Sequence, residues 1–167
     1  MRKHLGNSEY FFEAVGIIVA KIRATDATMK LRCDTMSDGF NTILIADTNE
    51  EEREHLSIAL AGEGYKVETA MASSEMIQKL HSSSGIGVIV MDVNMPGVKA
   101  YEVIPIVKKI NRRIPIIVMS SDNSIDLARK VRQAGIFFYA MKPLNIEEMK
   151  LAVKDAFKKI DREIIYR

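Results

Sequence analysis

Short apolar runs alternate with helix-like stretches from residue 42 to the end of the chain. Val88–Met91 consists of four consecutive large apolar residues, which is typical of a strand buried on both faces in a parallel sheet covered by helices. Tyr65–Thr69 instead alternates polar and apolar positions, which indicates an edge strand. The five predicted strands are Thr42–Ala46, Tyr65–Thr69, Val88–Met91, Ile114–Met119 and Ile136–Met141.

Each predicted strand is followed by apolar residues at helical spacing, and polar residues or glycines mark where these helices begin and end. The pattern is longest in the last helix, where Asn145 and Glu148 form an Asn-x-x-Glu cap ahead of it. Pro105 is expected in the first turn of the third helix or at a bend. The predicted starts are within Asp47–Arg53, at Ser73 or Ser74, at Tyr101, at Asp122 or Asn123, and after Asn145.

Five strands alternating with five helices predict an α/β fold, a doubly wound parallel sheet with right-handed crossovers and strand order 2-1-3-4-5. Residues 1–40 do not follow this alternation. Ile17–Ala24 and Thr28–Thr35 could form an appended hairpin or a partly ordered arm, or belong to another domain or a dimerisation element. Met36–Gly39 is the expected linker. We therefore divide the chain into an N-terminal extension, 1–40, and an α/β domain, 41–167.

Composition narrows the functional classes. The chain has 167 residues, 47% hydrophobic and 28% charged, with a formal net charge of +2, so no strong electrostatic case exists for nucleic acid or a membrane surface. The single cysteine, Cys33, excludes an internal disulfide and favours a reducing cytoplasm. The apolar run Tyr10–Ala20 is interrupted by Glu13 and is shorter than the ~20 residues that span a bilayer.

Four predicted strands end in distinctive polar residues: Asp47, Asp92, Ser120 and Lys142 follow strands one, three, four and five. Parallel strands end at the same edge of a sheet, and in the order 2-1-3-4-5 these four strands are consecutive neighbours. Their polar groups should therefore meet around Asp92. Two carboxylates, a hydroxyl and an ammonium suit a phosphoryl group together with a divalent ion.

Because of these residues, the segment from 42 to about 162 resembles the receiver domain of two-component response regulators, which has a flavodoxin-like fold. Each matching piece is weak alone, but together they keep the family's order and spacing. The matching residues are Asp47 in Ile-Leu-Ile-Ala-Asp, Asp92 in Val-Met-Asp-Val-Asn-Met-Pro-Gly, Ser120 in Ile-Val-Met-Ser-Ser, Tyr139 three residues before the lysine, and Lys142-Pro143.

The resemblance implies a role for each matching residue. Asp92 is expected to be the phosphoacceptor, and Mg²⁺ is expected to bind Asp47, Asp92 and the backbone carbonyl of Asn94. Lys142 is expected to pair with Asp92 and then with the phosphoryl oxygens. The switch residues are expected to be Ser120, which bonds the phosphoryl group, and Tyr139, which turns inward. The bond before Pro143 is expected to be cis.

Ser120 and Tyr139 also have ordinary structural interpretations. Ser120-Ser121-Asp122-Asn123 could be only a polar loop that caps a helix. Tyr139 could belong to the core, since Phe137 and Phe138 precede it.

Thr48 departs from the family pattern, which usually has a second acidic residue directly after the first. A hydroxyl carries no formal charge, so Mg²⁺ binding should be weakened, although such sites can function with one or two carboxylates plus phosphate oxygens. Thr48-x-x-Glu51 also reads as a capping box, so Thr48 is expected to begin the first helix.

These expectations lead to two main hypotheses. The first is a stand-alone receiver phosphorylated on Asp92 by a histidine kinase or phosphotransfer protein, with output to a protein partner through the face of helix four, strand five and helix five. That face could also support a homodimer. The second is a pseudo-receiver that binds partners without phosphorylation, and Thr48 motivates it. An enzyme of the haloacid-dehalogenase phosphatase type is disfavoured, because its nucleophile follows the first strand whereas Asp92 follows the third.

Overall fold

The computed structural model describes residues 40–165. They form a five-stranded parallel sheet in the order β2-β1-β3-β4-β5, with five α-helices as the connections, so the predicted doubly wound fold is confirmed. The predicted segments of residues 1–39 lie outside the described residues. The strands are β1 Thr42–Ala46, β2 Lys66–Ala70, β3 Ile86–Asp92, β4 Ile116–Ser120 and β5 Phe138–Met141. The helices are α1 Glu50–Gly62, α2 Ser73–Ser82, α3 Ala100–Ile110, α4 Ile125–Gln133 and α5 Ile146–Ile165.

The three central strands form the core of the sheet. Every residue of β1, β3 and β4 is buried, whereas β2 and β5 at the edges are only partly buried. Helices cover both faces of the central strands but leave the edge strands partly exposed. This difference in burial explains why the central strands are almost continuously apolar and why polar and apolar residues alternate in β2. Helix α5 contributes Met149, Val153 and Ala156 to one side of this core.

The strand register aligns the ends that carry the polar residues. Ala46 of β1 pairs with Met91 of β3, so the residues that follow them, Asp47 and Asp92, lie side by side. On the other side of β3, Ser120 of β4 pairs with the last residue of β5. The sheet therefore brings the ends of four neighbouring strands to one edge, as predicted from the strand order.

Three predicted helix caps are wrong. Asn49, not Thr48, caps α1, because the Asn49 side chain accepts a hydrogen bond from the N–H of Glu52 at 3.2 Å. Ala72 precedes α2 without a side-chain cap, so neither Ser73 nor Ser74 has that role. Ser124 caps α4 in place of Asp122 or Asn123, and it accepts from the N–H of Leu127.

Other bounds and caps agree more closely. Asn145 caps α5 as predicted, accepting from the N–H of Glu148 at 3.1 Å. Strands β4 and β5 each begin two residues later than predicted, and β3 begins two residues earlier. Pro105 lies inside α3 rather than in its first turn. Gly135, with a φ of 92°, follows α4 in the left-handed conformation that glycine adopts without strain. None of the helices within residues 40–165 combines the length and the hydropathy that a membrane-spanning segment needs.

Candidate phosphoryl-acceptor pocket

Lys142 lies at the centre of a group of carboxylates at the carboxyl edge of the sheet. Its Nζ is 2.5 Å from Oδ2 of Asp92 and 2.8 Å from Oδ2 of Asp47, and it also contacts Oε2 of Glu52. The Asp47, Asp92 and Lys142 side chains are 2%, 11% and 10% exposed. The structure thus brings three of the predicted site residues together and adds a fourth, Glu52, that the sequence analysis did not identify.

Strand and loop geometry fix the two aspartates. The backbone N–H of Asn49 donates to Oδ1 of Asp47 at 2.8 Å, and that of Asn94 donates to Oδ1 of Asp92 at 2.6 Å. In each case the oxygen that receives the backbone bond is not the one that faces Lys142. Each carboxylate is therefore held on one side by its own loop and presents its other oxygen to the ammonium group.

The backbone also positions Lys142. Its N–H donates to the carbonyl of Ser120 at 2.8 Å, which extends the β4–β5 pairing by one residue, and the bond to Pro143 is cis. Burial by itself would lower the pKa of Lys142, but the contacts of its ammonium with the carboxylates of Asp47, Asp92 and Glu52 outweigh that effect and raise the pKa above its usual value. Lys142 is therefore a stable cation at neutral pH.

The group opens into a surface pocket of about 480 Å³. Thr48 is exposed and lies in its wall, as does Asn94, whose side-chain oxygen accepts a bond from Lys99 at 3.3 Å. The pocket wall consists of Asp47, Thr48, Asn49, Glu52, Asp92, Asn94, Ser121, Lys142 and Pro143.

The two predicted switch residues lie apart from this pocket. Ser120 is fully buried, and its hydroxyl accepts from the N–H of Asp122 at 3.0 Å and donates to the Asp122 carbonyl at 3.2 Å. Its neighbour Ser121 lines the pocket instead. Tyr139 lines a separate groove of about 780 Å³, and the guanidinium of Arg132 lies 5.8 Å from its ring centroid. No group within residues 40–165 hydrogen-bonds the buried Tyr139 hydroxyl.

The donors in the pocket suit a hard divalent cation. Asp47 and Asp92 offer neighbouring carboxylates, and Mg²⁺ is commonly held by one or two carboxylates with water and phosphate oxygens completing its shell. In the part of the chain that the structure describes, no group of three or more His, Cys, Asp or Glu side chains is arranged as a ready-made metal site. The chemistry of the oxygen donors therefore fits Mg²⁺, with a shell that the protein alone does not complete.

Comparison with known families identifies the class of protein. The model of the response regulator receiver domain matches residues 43–154, so the chain belongs to this family. Receiver domains act in two-component signalling, accept phosphoryl groups as regulatory modules rather than working as catalytic enzymes, interact with histidine kinases and generally bind Mg²⁺.

Individual relatives agree with this assignment. The chain is 36% identical over 115 residues to the DNA-binding transcriptional regulator NtrC of Azospirillum brasilense, covering 69% of this chain and 24% of that protein. It is 31% identical over 133 residues to the response regulator protein TodT of Pseudomonas putida, covering 77% of this chain and 58% of TodT. The chain thus spans only part of the length of these curated relatives.

Solved structures give the same fold. The beryllofluoride-activated NtrC4 receiver domain dimer, solved in solution, superposes with a TM-score of 0.68 at 30% identity, covering 72% of this chain and 98% of that one. A CheY-like receiver domain protein from Methanospirillum hungatei JF-1 superposes with a TM-score of 0.69 at 22% identity, covering 74% and 99% of the two chains. The second likeness concerns the fold alone.

Proposed function

We propose that this chain is a receiver whose phosphoacceptor is Asp92, phosphorylated by a histidine kinase or phosphotransfer protein, with output through contact with another protein. One observation carries the proposal: the ammonium of Lys142 lies within hydrogen-bond distance of both Asp92 and Asp47 in one open pocket. A nucleophilic carboxylate, a fixed cation and a neighbouring acid are the groups that phosphoryl transfer needs.

The chemistry follows from these positions. A carboxylate oxygen of Asp92 attacks the phosphorus of a phosphohistidine. A bond from phosphorus to oxygen forms, the bond from phosphorus to nitrogen breaks, and its electron pair stays on the imidazole. Lys142 balances charge on the phosphoryl oxygens. Asp47, Asp92 and the Asn94 carbonyl would hold Mg²⁺, which when bound supplies further positive charge to those oxygens.

Ser120 can contribute only part of the switching free energy. A hydrogen bond to a charged phosphoryl group is worth about 1.5–3 kcal/mol, but the Ser120 hydroxyl must first leave its two bonds to the backbone of Asp122. Moving a two-state equilibrium from 1:99 to 99:1 takes about 5.5 kcal/mol. We propose that Lys142, the pocket loops and the partner supply the rest, and that Tyr139 turns into the space that Ser120 leaves.

The proposed output surface is the face of α4, β5 and α5. Ile125, Met141 and Leu151 are 75%, 44% and 59% exposed, and the groove beside Tyr139 is lined by Arg129 as well as by Ile125 and Met141. Exposed apolar side chains near basic ones are typical of protein-binding surfaces. We propose that a downstream protein, or a second receiver, binds here.

Intact-mass spectrometry with acetyl phosphate and Mg²⁺ tests the proposal. We expect the native chain to gain the mass of one phosphoryl group and Asp92→Asn to gain none. The matched control is Asp126→Asn, since Asp126 is 82% exposed and, among residues 40–165, pairs only with a neighbouring arginine on α4. This variant should be phosphorylated like the native chain. Equal phosphorylation of Asp92→Asn, or none in the native chain beside a known phosphorylatable receiver, would contradict the proposal.

Thr48 favours a second candidate function, a pseudo-receiver that binds its partner without phosphorylation. Thr48 lines the pocket, and a further acid at this position would strengthen Mg²⁺ binding. The same assay separates the two. If the native chain takes no phosphoryl group while Thr48→Asp takes one, the pseudo-receiver is favoured.

A further inference from the structure

Glu52 is a carboxylate of the pocket that the strand-end pattern does not include. It lies in the first turn of α1, where its backbone N–H is held by the side chain of Asn49. From there its Oε2 atom, which is buried although the side chain as a whole is 37% exposed, forms an ion pair with Nζ of Lys142. A helix residue thus adds to the pocket an acid from outside the loops that hold Asp47 and Asp92.

The charges in the pocket show what Glu52 changes. With Asp47, Asp92 and Lys142 alone, the pocket would carry two negative charges and one positive charge. Glu52 adds a third negative charge, while Thr48, one residue after Asp47, adds none. A bound Mg²⁺ and the Lys142 ammonium together carry three positive charges, and three carboxylates balance them, whereas two would leave an excess positive charge in a largely buried site.

We propose that Glu52 compensates for Thr48 by supplying the third carboxylate of the Mg²⁺ pocket. This inference rests on the proposed function, because it concerns the same pocket. Lys142 contacts all three acids, so it can keep Glu52 as its partner while Asp47 and Asp92 turn to the cation. Glu52 is thus a positioning residue and a counter-charge.

The neighbouring acids do not have this placement. Glu50 and Glu51 belong to the same first turn of α1, but both are exposed and neither lines the pocket. All three glutamates favour the positive end of the helix dipole equally. A comparison between Glu51 and Glu52 therefore separates the charge inside the pocket from the charge at the helix terminus.

Titration of Mg²⁺ into the full chain tests this inference. The dissociation constant is measured by calorimetry and by the changes in the amide NMR chemical shifts of Asp92 and Asn94. We expect Glu52→Gln to weaken Mg²⁺ binding about 10- to 100-fold, the usual effect of removing a group that supports a metal ligand. Glu51→Gln should stay within about twofold of the native chain, because its charge is exposed. Far-UV circular dichroism checks that both variants fold.

A second substitution gives a rescue. Thr48→Asp in the Glu52→Gln chain should restore Mg²⁺ binding toward the native level, since the lost charge returns from the neighbouring position. Native-like affinity in Glu52→Gln would overturn the inference, and so would a native chain that binds no Mg²⁺. The proposed function fails separately, if the native chain binds Mg²⁺ in a Glu52-dependent manner but takes no phosphoryl group from acetyl phosphate.

Discussion

Lys142 forms ion pairs with all three carboxylates of the pocket. Its ammonium is mostly buried, which costs solvation, and three carboxylates compensate for that cost. The same three acids would repel one another strongly without it. The resting pocket therefore keeps two uncompensated negative charges, and any cation that enters must share the acids with Lys142.

Replacing Lys142 with methionine should destabilise the protein by about 3–5 kcal/mol, because this leaves buried carboxylates without their partner. Urea unfolding followed by far-UV circular dichroism measures the change. The control is Lys158→Met, since Lys158 and Asp155 form a pair about half exposed, at 49% and 48%, and such pairs contribute about 0–1 kcal/mol. Equal losses in the two variants would show that the pocket pairs add no stability. Added MgCl₂ should reduce the loss in Lys142→Met.

The stability that Lys142 contributes should not depend on pH near neutrality. Its pKa is raised in the folded chain, so the contribution is fully present below the unfolded pKa of about 10.4 and is lost only as the pH rises through the higher folded value. The difference in unfolding free energy between native and Lys142→Met should stay constant from about pH 7 to about pH 9. A steady decline across that window would argue against the assigned ion pairs.

At the scale of elements, the start of α1 decides what the pocket contains. With Asn49 as N-cap, Glu52 is the third residue of the helix. Had Thr48 been the cap, Glu51 would take that place, and each residue would be rotated by about 100° around the helix axis. The identity of the cap thus determines which glutamate faces Lys142.

Truncation of the two candidate caps distinguishes them. Asn49→Ala should cost about 1 kcal/mol of unfolding free energy, because the N–H of Glu52 loses its acceptor. Thr48→Ala should change stability by less than about 0.5 kcal/mol, as expected of an exposed side chain. Thermal and urea unfolding of both variants measure the difference. The reverse order of the two losses would restore Thr48 as the cap.

Close contact between β3 and α5 depends on Gly87. A Cβ atom at this position would lie 2.6 Å from Cε1 of Phe157, and the Phe157 ring is itself stacked on Tyr65 at 5.0 Å between centroids. The ring has little freedom to move away, so the absent side chain at Gly87 sets how closely the helix approaches the strand.

Gly87→Ala should therefore destabilise the protein by about 1–3 kcal/mol through overpacking. Gly62→Ala, at the end of α1, is the control: no atom of the described part of the chain lies within 4 Å of the added Cβ, and its effect should be neutral or stabilising. Shortening the neighbour in Gly87→Ala/Phe157→Leu should recover part of the loss if the clash is the cause. The measurement is the urea concentration at the midpoint of unfolding, compared between variants that have the same m-value.

For the whole molecule, the sheet order determines how much of the site can be predicted from the sequence. The convergence of Asp47, Asp92 and Lys142 was predictable, because strongly apolar runs identify the central strands and parallel strands end at a common edge. Glu52 was not, since its reach depends on a helix start that was placed one residue early. The Asn49-x-x-Glu52 spacing was the signal available for it. The position of the Ser120 hydroxyl depends on a loop hydrogen bond to Asp122 that no pattern indicates.

Association of whole molecules should depend on the α4–β5–α5 face. With acetyl phosphate and Mg²⁺, we expect the native chain to shift toward a dimer in light scattering after size exclusion, and Ile125→Glu to stay monomeric, because a charge interrupts the apolar surface. The control is Ile58→Glu, since Ile58 on α1 is 65% exposed and should leave dimerisation intact. If Ile125→Glu dimerises like the native chain, a different surface is used.

Strand β5 is four residues long, and its last residue, Met141, is directly followed by Lys142. Lys142, which contacts the pocket carboxylates, and Met141, which is exposed to solvent, are thus covalent neighbours at the end of one edge strand. Communication between them would need no relay through the sheet interior. A substitution at Met141 would therefore alter the exposed edge of β5 beside Lys142 without removing any carboxylate of the pocket.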